Sequence, residues 1–216
     1  MNRRLGVLIS GRGSNLQALI EATRDRRLDA TIAVVISNRE DAQGLARARA
    51  AGVETLTISH RGWSSRDDHD RVIVRELRAR DVGLVCLAGY MRLVGPPLLE
   101  AFPNAILNVH PSLLPAFPGV DAPRQAIEHG VRVSGVTVHF VTSELDNGPI
   151  VLQRAVPVLD DDTVETLAAR ILVEEHKAYP EAVAVVLGGG WRIEDRRFVR
   201  SATSASSSLS PLRADS

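Results

Sequence analysis

Five short apolar runs, rich in Val and Ile, alternate with segments of helical spacing over the first half of the chain, and that alternation leaves few folds open. Residues 5–9, 30–36, 53–58, 82–88 and 105–109 read as strands, and residues 15–22, 43–51, 67–79 and 96–101 as helices. A parallel strand pair needs a crossover of a dozen or more residues, usually a helix, so this order predicts parallel pairing. The expected fold is α/β, a doubly wound, mostly parallel sheet. Residues 131–141 and 149–158 are longer β-like runs around the Asn147-Gly148 turn signal, which predicts an appended antiparallel pair. Asp162 or Thr163 would cap a last helix that runs to about Val186, bends or breaks at Pro180 and stops at Gly188-Gly189-Gly190. Residues 201–216 are rich in Ser and Ala and predict a disordered tail. The expected division is a domain over residues 1–188 and a tail over 189–216.

Charge and cysteine usage narrow the partners. Lys plus Arg number 26 and Asp plus Glu 26, so no basic excess points to nucleic acid. The single Cys86 lies within an apolar run, which excludes an internal disulfide and fits a reducing cytoplasm. No apolar run approaches the roughly 20 residues that span a bilayer, so no membrane association is expected.

Two segments carry chemistry. Strand one ends in Ser10-Gly11-Arg12-Gly13-Ser14-Asn15, a glycine-rich turn into a helix, where backbone N–H groups and the positive helix end converge on one point. Leu16 stands where a dinucleotide fingerprint needs a third small residue, and strand two lacks a terminal acid for a ribose. The loop is a nest for one phosphate group or a plain tight turn. In Asn108-Val109-His110-Pro111, strand alternation puts the amide and the imidazole on one face at a strand exit. That pair suits oxyanion stabilisation and proton transfer.

Other residues admit two readings. Asp146 is either the carboxylate that favours a charged His110 ring or a turn former. His139 lines the site or is a satisfied strand histidine. The segment Gly89-Tyr90-Met91-Arg92-Leu93 borders a flat ligand or packs as an ordinary loop. Arg66 stands near a helix start, where most arginines are solvated, and Glu174-Glu175-His176 reads as an exposed helical face. Ser112 lacks a nucleophile elbow, and Cys86 is too apolar in its surroundings for a nucleophile. His110, His139 and Asp146 lack metal-motif spacing, so no metal is expected.

Five motifs in order, Ser-Gly-x-Gly-Ser-Asn-Leu-Gln from Ser10, Leu-Ala-Gly-Tyr-Met-Arg from Leu87, Asn-x-His-Pro-Ser-Leu-Leu-Pro from Asn108, Gly-x-Thr-Val-His-Phe-Val from Gly135 and Glu-Leu-Asp-x-Gly-Pro-Ile from Glu144, carry a resemblance. Over about residues 4–187 the chain resembles the phosphoribosylglycinamide formyltransferase family of de novo purine synthesis. The resemblance implies a Rossmann-like formyltransferase fold and transfer of a formyl group from 10-formyltetrahydrofolate to glycinamide ribonucleotide, without a metal. It implies Asn108, His110 and Asp146 as catalytic residues, and Gly13, Ser14, Asn15 and Glu175 as ribonucleotide contacts. Arg66, Met91, Arg92, Leu93, Val94 and Val141 would border the folate, together with Asn108 and Asp146. Members occur as monomers and homodimers.

Ala116-Phe117 stand where many members carry Lys-Tyr, and Asp121 where a His is common, which bears on loop closure and folate affinity. Arg12 is placed to add a phosphate contact. The rival readings are a formyltetrahydrofolate deformylase and a non-catalytic folate or nucleotide binder.

Overall fold

The computed structural model describes residues 2–201. The five expected strands form as β1 (Arg4–Ile9), β2 (Thr31–Ser37), β3 (Thr55–Thr57), β4 (Leu84–Leu87) and β5 (Ile106–His110). Between them run α1 (Ser14–Arg24), α2 (Gln43–Ala50), α3 (Arg66–Arg78) and α4 (Pro96–Ala101). Every pairing among these five strands is parallel. Strands β1 and β4 are buried almost end to end, which is why they read as continuous apolar runs and not as alternating ones.

The expected antiparallel pair is β6 (Val133–Phe140) and β7 (Ile150–Pro157), and β6 also runs antiparallel to β5. A short helix, α5 (Ala122–Glu128), forms in the proline-rich segment before β6. Its seven residues are too few for a visible helical period, although Pro123 stands in its first turn.

The long helix α6 (Val164–Gly188) starts at Thr163, whose side chain accepts from the Thr166 N–H while the Thr166 hydroxyl accepts from the Thr163 N–H. This is a reciprocal capping box built with threonine. Of the two expected effects of Pro180, interruption does not occur, and α6 runs through it over 25 residues. Tyr179 and Pro180 are both buried, and the Tyr179 hydroxyl donates between the carbonyls of Leu87 (2.9 Å) and Leu107 (3.1 Å). Helix α6 is thereby strapped to β4 and β5 at a fixed height.

The expectation of a tail from residue 189 is corrected. Strands β8 (Trp191–Glu194) and β9 (Arg197–Arg200) form an antiparallel hairpin, and β9 joins β7 at Ile150 and Arg197. Trp191 and Phe198 pack on Phe140 with ring centroids 5.3 and 6.0 Å away. Residues 202–216, which hold most of the expected tail, lie outside the described residues.

The nine strands make one sheet in the order β3-β2-β1-β4-β5-β6-β7-β9-β8. Strand order reverses at β1, between β2 and β4, and this switch point opens a crevice beyond the carboxyl ends of the strands. The glycine turn leaves β1 there, and Asn108 and His110 leave β5 two strands along. Among the described residues, no helix is long and apolar enough to cross a membrane.

Candidate active site

Asn108 and His110 are brought together as the alternation predicted, at the end of β5 and facing β6. The cross-strand partners are Asn108 with His139 and His110 with Thr137. His139 is buried, and its two ring nitrogens have different duties. Nδ1 lies 2.9 Å from the Phe140 carbonyl, which only accepts, so Nδ1 carries the hydrogen. Nε2 is then the acceptor for the Asn108 amide nitrogen at 3.2 Å. Burial pushes the His139 pKa below the ordinary histidine value and keeps the ring in this neutral form. One Asn108 N–H is thus fixed by His139, and the second is left aimed away from it. His139 is therefore neither a bystander nor a ligand but the residue that sets the Asn108 amide.

His110 is 4% exposed and is enclosed on both nitrogens. Its Nε2 lies 2.9 Å from the Phe117 carbonyl, and Nδ1 lies 3.4 Å from Asp146 Oδ2. The carbonyl only accepts, so Nε2 carries a hydrogen and donates it to Phe117. Asp146 Oδ2 also accepts from the Gly119 N–H at 2.7 Å, and Oδ1 lies 3.7 Å from His139 Nε2. The carboxylate stands between two imidazoles. It reaches that position with a left-handed backbone (φ 49), a conformation that costs a non-glycine residue about 1–3 kcal/mol and persists only where its surroundings hold it.

The segment after His110 is tied down from β6 and β7. The Thr137 hydroxyl donates to the Ser112 carbonyl (2.7 Å) and accepts from the Leu114 N–H (3.0 Å), and the Gln153 amide donates to the Leu114 carbonyl (2.9 Å). The substituted Phe117 contributes its carbonyl to His110 and its ring to His129, with centroids 5.2 Å apart. Asp121, the other departure, pairs with Arg124 at 2.7 Å.

At the other end of the crevice, Gly13 takes the N-cap of α1 with φ 72, and no side chain caps this helix. Its first N–H groups therefore remain for an anion, with Ser14 and Asn15 opening the helix. A Cβ on Gly13 would lie 2.6 Å from the Gly44 Cα, so this turn packs directly against the start of α2. Asn15 donates to Glu175 Oε2 at 2.5 Å, while Asn15 Oδ1 is buried without a hydrogen-bond partner among the described residues. The reading of Glu175 as part of an exposed face is corrected. It is buried by the packing of α6 on α1, and burial raises its pKa above the ordinary glutamate value.

The expected folate-side residues lie on three segments, the loop after β4, the start of α3 and the residue after β6. Met91 and Leu93 are exposed, Arg92 and Val94 half-buried. The Met91 N–H donates to Ser10 Oγ, and the Gly95 N–H donates to Asp70 Oδ2 of α3, which ties this loop to the helix that Arg66 begins. Arg66 itself is exposed, and Val141 is half-buried just past β6. Arg12 is exposed and its carbonyl accepts from Arg47. Cys86 is buried away from the rim with its thiol pKa pushed up to about 12 by burial, as unsuited to nucleophilic attack as the sequence suggested. Among the described residues, no group of three His, Cys, Asp or Glu side chains is placed to hold a metal ion.

The chain as a whole has counterparts among known proteins. The family of formyl transferases matches residues 3–183. The chain belongs to the formyl transferase family. Among its members, the phosphoribosylglycinamide formyltransferase of Escherichia coli is 42% identical over 88% of this chain and 89% of its own length. The trifunctional purine biosynthetic protein adenosine-3 of Drosophila melanogaster is 47% identical over 87% of this chain, which spans only 14% of that larger protein. The crystal structure of glycinamide ribonucleotide transformylase 1 from Symbiobacterium toebii superimposes with a TM-score of 0.91 and 57% identity, covering 93% of this chain and 94% of that one. The formyl transferase match ends at residue 183, before β8 and β9.

Sequence reasoning missed three participants: the Phe117 carbonyl, the Gly119 N–H and the Asn108 contact of His139. The first two are backbone groups in a loop, for which a sequence carries no signal. The third was available, because Asn108 and His139 lie on adjacent strands with β-alternation.

Proposed function

We propose that this chain transfers the formyl group of 10-formyltetrahydrofolate to the amine of glycinamide ribonucleotide, giving formylglycinamide ribonucleotide and tetrahydrofolate. The observation that carries the reading is the Asn108–His110–Asp146 arrangement, with His139 holding the Asn108 amide. The amine nitrogen attacks the formyl carbon, a C–N bond forms, and the carbonyl oxygen becomes an oxyanion. The second Asn108 N–H and the His110 ring, whose Nε2 exchanges the Phe117 carbonyl for the oxyanion, stabilise that charge, and each such donor contributes about 10²- to 10³-fold in rate. Collapse breaks the bond from the formyl carbon to N10 of the folate. His110 donates the proton that the leaving nitrogen takes up, and Asp146 stabilises the charged ring and receives the amine proton through water.

The spacing of the two ends supports this substrate. Phosphate at Gly13, Ser14 and Asn15 and chemistry at Asn108 lie two strands apart, about 10 Å at ordinary strand spacing. Roughly nine bonds separate the phosphorus of glycinamide ribonucleotide from its amine, about 10 Å when extended. Glu175 and the unpartnered Asn15 Oδ1 would accept from the ribose hydroxyls. Arg66, Met91, Arg92, Leu93, Val94 and Val141 offer a partly apolar rim for the folate, whose pterin ring would lie between the 89–95 loop and the end of β6.

The test follows absorbance as a 10-formyl folate becomes its deformylated product, with and without glycinamide ribonucleotide. Release that requires the ribonucleotide is the expected result. Equal release in its absence would replace the transferase with a deformylase, and folate binding with no release would leave a binding protein.

A further inference from the structure

Asp146 sits on the 142–149 loop between β6 and β7, and its left-handed backbone needs external support. One end of the loop is closed by Gly148, where a Cβ would lie 1.8 Å from the Phe140 carbonyl oxygen. The Phe140 N–H, in turn, donates to the Pro149 carbonyl at 2.9 Å. The other support comes from the β8–β9 hairpin. The turn of the β8–β9 hairpin, Asp195-Arg196, reaches back so that Arg196 Nη2 donates to Asn147 Oδ1. Asn147 Nδ2 donates to Glu144 Oε2, so the residue next to Asp146 is gripped by its amide on both sides. The hairpin is itself anchored on Phe140 through Trp191 and Phe198, and the Phe140 carbonyl is the group that fixes the His139 tautomer.

We infer that Arg196 is a positioning residue, which holds the Asp146 loop through Asn147 and so sets the carboxylate against His110. The hairpin thus extends the site without touching substrate. This rests on the proposed role of Asp146 in formyl transfer. Arg196 is exposed and no part of the core surrounds it, so its removal leaves the fold intact while loosening the loop. Catalytic geometry tolerates little displacement, so a small loosening is read mainly in kcat.

The experiment measures steady-state and single-turnover formyl transfer for Arg196→Ala, Arg196→Lys, Asp146→Asn and the Arg196→Ala/Asp146→Asn double variant, with thermal melting of each. Arg196→Ala is expected to lower kcat about fivefold to tenfold, with KM for glycinamide ribonucleotide and the melting temperature unchanged. Arg196→Lys, which retains a donor, recovers most of that loss. In the Asp146→Asn background, Arg196→Ala has no further effect, because the residue it acts through is already disabled. An unchanged kcat in Arg196→Ala, or the same factor lost in both backgrounds, would overturn the proposal and leave Asp146 in place. Full turnover in Asp146→Asn would instead overturn the reading of Asp146, and the proposal with it.

Discussion

Three side chains, half-buried Asn108 and buried His139 and Glu175, show how strongly position governs chemistry in this crevice. The Asn108 amide is useful because neutral His139 accepts one of its hydrogens and leaves the other aimed. Replacing Asn108 with Ala should lower kcat by about 10²- to 10³-fold while ribonucleotide binding, measured by calorimetry, stays close to the parent. His139→Phe keeps the ring volume but removes the acceptor, and a drop of about tenfold in kcat is expected in the same assay. Glu175 carries a pH dependence. Its folded-state pKa is raised by burial, so below the ordinary value of 4.5 both folded and unfolded chains hold the proton. As pH rises above that value the unfolded chain releases its proton first, and the contribution of Glu175 to stability is lost as pH passes through the raised folded value. Glu175→Gln should therefore melt progressively higher than the parent as pH rises above about 4.5, yet bind the ribonucleotide more weakly. A constant melting difference across that range would count against a buried, proton-holding Glu175.

At the scale of elements, the glycine turn couples the phosphate nest to the docking of two helices. Gly13→Ala forces a side chain into a φ of 72 and sets its Cβ 2.6 Å from backbone of Gly44. A loss of about 1–3 kcal/mol in unfolding free energy is expected, measured by urea titration, together with a raised KM for the ribonucleotide. Most elements were legible in the residues because period and burial agree. Strands β1 and β4 are continuous apolar runs, and α3 shows Ile73 and Leu77 four apart on its buried face. Helix α5 was not legible, being two turns long inside a proline-rich segment. Nor was the inward face of α6 at Glu175, since three polar residues in a row describe an exposed surface until a second helix, α1, is laid over them. Asn108, His110 and Asp146 were legible as types and order, whereas the loop carbonyl and N–H that fix their orientation belong to the folded backbone alone.

For the molecule as a whole, the hairpin is the part that the residues disguised. Trp191, Ile193 and Phe198 alternate with charged residues as a strand pair should, but each strand is only four residues long and abuts a Ser-rich segment. Its packing on Phe140 makes it part of the domain. A chain stopped after Gly190 should melt about 5–10 °C lower than one stopped after Ser201, because three aromatic rings lose their contacts. Equal melting temperatures would mean that the hairpin only leans on the sheet. Among the described residues, the sheet ends on one side at β3, with three residues, and on the other at β8, with four. So short an edge offers a passing chain very few backbone hydrogen bonds in register. The broad, apolar sheet that delivers this crevice is thereby shielded from growing by strand addition into aggregates, and lengthening either edge strand would remove that protection before it altered any chemistry.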